Sequence, residues 1–274
     1  MDRREGKMMR VLSWFKISIA VLFAILFFSA RSAQADPVFA ISQDGNMLFY
    51  RYDGGADGSA NWPIQAKKIG NGWNFKQVFA GSNGAIYAIT ETGDMLFYRY
   101  AGGADGSANW PIQAKKIGNG WNFKQVFAGS NGAIYAITET GDMLFYRYAG
   151  GVDGSANWPI QAKKIGNGWN FKQVFAGSNG AIYAITETGD MLFYRYAGGA
   201  DGSPNWPIQA KKIGNGWNFK QVFAGSNGAI YAITETGDML FYRYAGGADG
   251  SPNWPIQARK IGNGWNFAEV FAGE

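Results

Sequence analysis

The residues best suited to binding chemistry are asparagines and tryptophans that recur together in polar, glycine-rich segments. The segment NWPIQA first places such a pair at Asn61 and Trp62, and the segment GNGWNF first places one at Asn71 and Trp73. An indole face can cover the apolar C–H face of a sugar ring, while Asn and Asp side chains can hydrogen-bond hydroxyl or acetamide groups. The same rings could equally fill the space between packed sheets. We expect the Trp62 series, which follows a polar loop, to favour a pocket, and the Trp73 series, which precedes a strand, to favour the core.

Several kinds of catalytic and metal chemistry are excluded by composition. The 274 residues include no His and no Cys, which rules out a Ser-His-Asp triad, a thiol nucleophile, an ordinary zinc site and any disulfide. The run from Asp57 to Asn61 spaces oxygen ligands like the start of a calcium loop. However, Trp62 stands where such a loop needs Gly, and no closing Glu follows. We interpret this run as a turn, with calcium a minor alternative, and predict no metal and no cofactor.

The acidic residues also argue against an enzyme. A glycosidase needs two carboxylates with different roles at a defined separation. Here nearly every acid belongs to a repeating series such as that of Glu91, so nothing builds one central site. The acids outside these series lie near the ends or in a variable turn, namely Asp36, Asp44, Asp53, Glu269 and Glu274. The sequence therefore predicts a protein without catalytic activity.

The positive charge is concentrated at the N-terminus. Residues 1–35 carry six basic and two acidic residues, which leaves 19 basic and 18 acidic residues, a net charge of +1, for the rest of the chain. Nucleic-acid binding needs a clustered excess of cations. We therefore expect no nucleic-acid partner.

The N-terminal segment has the three-part layout of a secretory signal. A basic stretch precedes an apolar run of 12 residues from Ile17 to Phe28, and Ala33-Gln34-Ala35 ends the segment as a small-x-small cleavage site. An uncleaved membrane anchor is the alternative, but a span needs about 20 apolar residues. We predict that residues 1–35 are a signal peptide cleaved after Ala35, and that residues 36–274 are secreted without stable membrane insertion.

The remaining chain consists of five 48-residue repeats. NWPIQA begins at Asn61, Asn109, Asn157, Asn205 and Asn253. The second repeat contains four segments rich in aromatic and β-branched residues, which predict strands over 75–80, 85–90, 95–100 and 112–117. Glycine-rich turns separate them. Four short strands in a repeat of this length predict an all-β, five-bladed β-propeller of four-stranded repeats.

The phase of the repeat predicts how the ring closes. The first repeat lacks its leading strand, and the C-terminus supplies one extra. We expect residues 267–272 to pair beside residues 37–42, which would complete the first blade and cover two exposed sheet edges.

The repeat N-W-x-x-x-A-K-K-I-G-N-G-W-x-F-K closely resembles the tachylectin family, and the resemblance covers residues 36–274. It implies a five-bladed propeller lectin for N-acetylated amino sugars. This chain has Ala60 before the first Asn-Trp pair, where a family lectin has Asp, and the single Gly72 before the second Trp, where that lectin has two glycines.

The resemblance implies one sugar pocket at each blade boundary, formed by the loop 102–110, the segment 118–121 and their copies. The implied partners are glycans of the N-acetylglucosamine or N-acetylgalactosamine type, bound by a monomer with about five equivalent sites. The alternative is a non-catalytic scaffold for protein interaction, or a duplicated propeller without retained ligand binding. The predicted carbohydrate-binding residues are Asp57, Asn61, Trp62, Asn71, Trp73, Asp105, Asn109, Trp110, Asn119, Trp121, Asp153, Asn157, Trp158, Asn167, Trp169, Asp201, Asn205, Trp206, Asn215, Trp217, Asp249, Asn253, Trp254, Asn263 and Trp265.

Overall fold

A computed structural model describes residues 35–273. The predicted signal peptide, apart from Ala35, lies outside the described residues. Within the described range, no helix has the length and apolar character that a membrane span requires.

The described chain forms five four-stranded antiparallel sheets, the blades of a propeller. Blade 1 contains β1 (Asp36–Ile41), β2 (Met47–Tyr52), β3 (Ile64–Gly70) and the last strand of the chain, β20 (Glu269–Ala272). Blade 2 contains β4 (Gln77–Ala80), β5 (Ala85–Ile89), β6 (Met95–Arg99) and β7 (Ile112–Gly118). Blade 3 contains β8 (Gln125–Ala128), β9 (Ala133–Ile137), β10 (Met143–Arg147) and β11 (Ile160–Gly166). Blade 4 contains β12 (Gln173–Ala176), β13 (Ala181–Ile185), β14 (Met191–Arg195) and β15 (Ile208–Gly214). Blade 5 contains β16 (Gln221–Ala224), β17 (Ala229–Ile233), β18 (Met239–Arg243) and β19 (Ile256–Gly262). The predicted fold class is confirmed.

The first strand of blade 2 begins two residues later than the sequence predicts, at Gln77 instead of Phe75. The reason is that the preceding segment is bound to the neighbouring blade. The Trp73 N–H donates to the Gly45 carbonyl at 3.0 Å, so the chain joins its own sheet only after crossing the boundary.

The hydrophobic core lies between blades rather than inside each one. One cluster, for example, combines Tyr87 and Phe97 of blade 2 with Trp121 and Ile134 of blade 3. Each blade is only one sheet thick, so its apolar face is covered only when the next blade packs against it. The ring therefore has to close for every blade to be buried on both sides.

Closure occurs as the phase of the repeat predicts. Strand β20 pairs antiparallel with β1, with Val38 opposite Ala272 and Ile41 opposite Glu269. The first blade is thus completed by the end of the chain.

A circle of side-chain hydrogen bonds joins the innermost strands. In each blade a glutamine near the start of that strand accepts a hydrogen bond from a valine N–H of the next blade. The bonds are Gln77 to Val126 (2.8 Å), Gln125 to Val174 (2.8 Å), Gln173 to Val222 (2.8 Å) and Gln221 to Val270 (3.2 Å). Glu269 takes the fifth place and accepts from Val78 N–H at 2.9 Å.

The carboxyl of Glu269 is the exception in this circle. Burial raises the pKa of Glu269 from its ordinary 4.5 to about 8, and the hydrogen bond from Val78 offsets this only in part. A carboxylate at this position is acceptor-only, whereas the Gln77 amide also donates to the Phe123 carbonyl at 3.3 Å. The junction that closes the ring is therefore sensitive to pH.

Deleting residues 267–274 removes β20 and leaves β1 as an unpaired edge beside an uncovered core. Because buried Val270 and Phe271 are lost as well, we expect the thermal midpoint to fall by more than about 10 °C, measured by circular dichroism. A chain shortened by residue 274 alone keeps β20 and is the control. An unchanged midpoint after the longer deletion would show that the closing strand does not hold the ring.

Replacing Glu269 with Gln should remove a pH dependence of stability. The unfolded carboxyl ionises near 4.5 and the folded one at about 8, so its contribution to stability is complete below about pH 4.5 and is lost as pH rises to about 8. Glu269→Gln cannot ionise and keeps an acceptor for Val78. We expect it to exceed the wild type in free energy of unfolding by on the order of 4 kcal/mol at pH 8. The difference should nearly vanish at pH 4.

Denaturant titrations across that pH range measure this difference. The exposed variant Glu187→Gln is the control and should follow the wild type. Parallel pH curves for Glu269→Gln and the wild type would contradict the proposed role of the buried carboxyl.

Candidate functional site

Two cavities lie at blade boundaries, and both are walled by tryptophan. The cavity between blades 4 and 5 measures about 200 Å³, and the one between blades 5 and 1 about 270 Å³. We call them the tryptophan cavities. The first is lined by Asn215, Gly216, Trp217, Phe219, Tyr242, Trp254 and Gln257, among others, and the second by their repeat counterparts Asn263, Gly264, Trp265, Phe267, Tyr50, Trp62 and Gln65.

Trp217 is held in place from both sides of its boundary. Its N–H donates to the Gly189 carbonyl at 2.9 Å, and its ring centroid lies 4.5 Å from Tyr242 and 5.4 Å from Trp254. A Cβ on Gly214 would come within 2.6 Å of the indole nitrogen of Trp217, so only glycine leaves room for the ring there. The side chain is 4% exposed and meets the cavity along one edge.

Trp254 binds the blade behind it. Its ring is half-buried, and its Nε1–H donates to the Ile213 carbonyl of blade 4 at 2.7 Å. The same 2.7 Å bond recurs from Trp62 to Ile261, Trp110 to Ile69, Trp158 to Ile117 and Trp206 to Ile165. This series therefore serves two purposes, because it fastens neighbouring blades together and offers a ring face to the cavity.

Three polar groups at the cavity between blades 4 and 5 have no hydrogen-bond partner in the part of the chain that the structure describes. They are the Nε1–H of Trp217, the hydroxyl of Tyr242 and the exposed side-chain amide of Asn215. Partial burial raises the pKa of Tyr242, which keeps its hydroxyl protonated and able to donate. The cavity thus combines aromatic walls with unused donors and acceptors.

The predicted Asp and first Asn series lie elsewhere, in the loop that carries the first tryptophan. Asp105 accepts the Ser107 N–H at 3.3 Å, and the Asn109 amide donates to the Ala101 carbonyl at 3.1 Å. In the copies at Asp153, Asp201 and Asp249, and in Asp57 of blade 1, hydrogen bonding from the serine N–H two residues on lowers the pKa of the carboxyl. These side chains fold the loop, and none of them lines either tryptophan cavity.

The structure therefore brings together three of the five predicted series, represented by Trp62, Asn71 and Trp73. Sequence reasoning missed two further series, those of Tyr50 and Gln65, which also line the cavities. Alternation in the strand MLFYRY could have identified the tyrosine, because its side chain points to the face opposite that of Phe49. No comparable signal marks Gln65.

The chemistry of the tryptophan cavities is non-covalent binding. Their walls can cover the apolar face of a small ring, and their amide, indole and phenol groups can hydrogen-bond its substituents. No Asp or Glu lines either cavity. Within residues 35–273, no group of three or more His, Cys, Asp or Glu is arranged to hold a metal ion.

Comparison with solved structures supports the fold. A symmetrical protein from work on the de novo evolutionary emergence of such proteins superimposes with a TM-score of 0.61 at 22% identity, over 86% of this chain and 97% of its own. AofleA from Arthrobotrys oligospora gives a TM-score of 0.47 at 13% identity, over 87% of this chain and 71% of its own. The SapL1 lectin, solved with alpha methyl fucoside, gives 0.45 at 15% identity, over 85% and 80%.

The family is established by sequence. No significant match is found among curated proteins. The profile of the Tachylectin family, however, matches residues 40–270, which is most of the chain and includes every blade. The protein therefore belongs to the Tachylectin family of non-catalytic propeller lectins.

Proposed function

We propose that the protein binds N-acetylated amino sugars at about five equivalent sites, one in the tryptophan cavity of each blade boundary. The observation that carries this proposal is the cavity between blades 4 and 5, where Trp217 and Trp254 form the walls and Tyr242 and Asn215 supply unused polar groups. The repeat gives the other boundaries the same residues.

The cavity suits an acetamido sugar for two reasons. The Trp217 Nε1–H is a donor beside an apolar wall, so it can bond an acetamide carbonyl while the methyl group packs on aromatic carbon. The volumes of about 200 and 270 Å³ lie below the roughly 300–1,000 Å³ of pockets for drug-sized ligands. One sugar residue is thus the expected occupant of each cavity.

Several weak sites on one ring would act together on a dense glycan surface. If the spacing of the glycans matches that of the cavities, avidity can exceed the affinity of a single site by roughly 10²–10⁴. We infer that the protein recognises glycan-coated surfaces rather than free sugars.

We also propose that the protein is exported. The basic start, the apolar run from Ile17 to Phe28 and the Ala33-Gln34-Ala35 site support cleavage after Ala35. Cleavage there would leave Asp36, the first residue of β1, at the N-terminus. N-terminal sequencing of protein recovered from the medium tests this, and a retained segment 1–35 would contradict it.

Asn215→Ala should remove one sugar site without harming the fold, because its side chain is exposed and bonds to nothing in the described chain. We expect calorimetric titration with N-acetylglucosamine to give about five sites in the wild type and about four in the variant. Substituting Asn71, Asn119, Asn167, Asn215 and Asn263 together should weaken binding at every site at least tenfold.

The exposed variant Glu139→Ala is the control and should keep five sites. Absence of amino-sugar binding in the wild type, or full binding by the fivefold variant, would reject the proposed site. A glycan array that also showed no binding to any other sugar would favour the protein-interaction scaffold.

Gly214→Ala should disturb the same cavity from behind, because the new Cβ would displace the indole of Trp217. We expect an altered near-ultraviolet circular dichroism spectrum, one fewer sugar site and a loss of about 1–3 kcal/mol in stability. The control Gly199→Ala meets no atom within 4 Å but has a φ of +61°, so it should lose about 1–2 kcal/mol and keep five sites. Equal sugar counts for both variants would contradict the role of Trp217.

A further inference from the structure

The boundary between blades 5 and 1 holds a buried carboxylate in a set of donors. Asp36 is 3% exposed, and its two oxygens accept hydrogen bonds from Ser226 N–H at 3.0 Å and from the Tyr231 hydroxyl at 2.5 Å. Arg243 lies close enough to stabilise the charge. Blade 5 thus supplies a backbone donor, a phenol and a guanidinium, and blade 1 supplies the carboxylate that they bind.

The repeat builds the same donor set at three other boundaries. The groups equivalent to Ser226, Tyr231 and Arg243 are Ser82, Tyr87 and Arg99 in blade 2, Ser130, Tyr135 and Arg147 in blade 3, and Ser178, Tyr183 and Arg195 in blade 4. The facing position, which Asp36 holds in blade 1, is Gly132, Gly180 or Gly228 in the next blade. These three boundaries therefore have the donors without a side chain to occupy them.

The tyrosines are held in the same orientation whether or not a carboxylate is present. Tyr231 stacks on Phe223 with ring centroids 5.1 Å apart, and Tyr135 and Tyr183 stack on their own phenylalanines at 5.2 Å. Tyr135 and Tyr183 are each 4% exposed, and neither hydroxyl has a hydrogen-bond partner among residues 35–273. Their phenols are thus positioned as in the occupied copy.

Between blades 2 and 3 these groups surround an open cavity of about 580 Å³. Tyr87, Arg99 and Arg147 line it, and no Asp or Glu does. It lies at the end of the blades that carries the β4–β5 turn, whereas the tryptophan cavities lie at the other end, where the outermost strands finish. The two sets of cavities are therefore separate.

The boundary between blades 1 and 2 shows what happens when the phenol is missing. Phe39 stands there in place of the tyrosine, and the cavity of about 430 Å³ is mostly apolar, with Phe49 and Tyr100 in its wall. Arg51 is present, but the hydroxyl is absent. This boundary is not expected to bind a carboxylate.

We propose that the boundaries between blades 2 and 3, 3 and 4, and 4 and 5 each bind the carboxylate of a small organic acid, in the position that the Asp36 carboxylate takes at the fourth boundary. Charge-assisted bonds from the guanidinium, with the backbone N–H and the phenol, satisfy both oxygens. The cavity between blades 2 and 3 leaves room for a body as large as a sugar ring, so a uronic acid fits as well as a bare carboxylate.

Titration calorimetry on the protein, in the presence of saturating N-acetylglucosamine, tests this with acetate, D-glucuronate and D-glucose. We expect about three carboxylates per chain and no binding of glucose. Binding of acetate would show that the carboxylate suffices, and binding of glucuronate alone would show that the sugar body is also needed. Absence of binding by both acids would overturn the proposal.

The triple variant Tyr87→Phe, Tyr135→Phe and Tyr183→Phe retains the stacked rings and removes the phenol donors. We expect it to weaken carboxylate binding at least tenfold and to leave N-acetylglucosamine binding unchanged. Undiminished carboxylate binding by this variant would place the acid elsewhere and refute the sites.

Asp36→Ala should open a fourth site. We expect its stoichiometry to rise from three to four, and acetate to raise its thermal midpoint more than that of the wild type, because free acetate replaces the lost side chain. Asp36→Asn keeps the position filled and is the matched control, with three sites. A stoichiometry of three in a folded Asp36→Ala protein would contradict the equivalence of the boundaries, and the tyrosine variant decides the matter if Asp36→Ala does not fold.

Discussion

Each blade of this propeller has apolar side chains on both faces of a single sheet, and only a neighbour on each side covers them. The aromatic rings between blades are the means of that cover, as in the contacts of Trp73 with Tyr98 and Trp110 at 4.4 and 5.4 Å. Such pairs add about 0.5–1.5 kcal/mol each beyond their buried area. A ring that stops short would leave two faces wet, so pairing of β20 with β1 is a condition for all other packing.

The same constraint produces the cavities. Wedge-shaped gaps remain where flat sheets meet at an angle, and the repeat fills each gap with the same residues. The indole of Trp254 fastens blade 5 to blade 4 and at the same time faces the cavity between them. Binding surface and ring packing therefore cannot be varied independently in this protein. Departures from symmetry concentrate where the ends meet, at Asp36, Phe39 and Glu269, because only there must two different segments imitate one continuous blade.

The fold could be predicted from the sequence because its evidence is periodic. A 48-residue repeat, four strand patterns and an offset between the two ends suffice to specify five blades and their closure. The site was less accessible. Asp105 and Asn109 look like ligand-binding residues in the sequence, yet their oxygens and amides bond within their own loop. Tyr98 looked like an ordinary strand residue, because which face of β6 meets the boundary depends on how the blades pack.

The central claim is that closure of the ring creates equivalent sugar sites between paired tryptophans. A crystal structure of the protein soaked with N-acetylglucosamine tests it most directly. The account predicts one sugar at each of the five boundaries, with its acetamide against the indole of the Trp73 series and its ring beside the Trp62 series. Sugar bound away from these tryptophans, or boundaries that stay empty at saturating concentration, would contradict it.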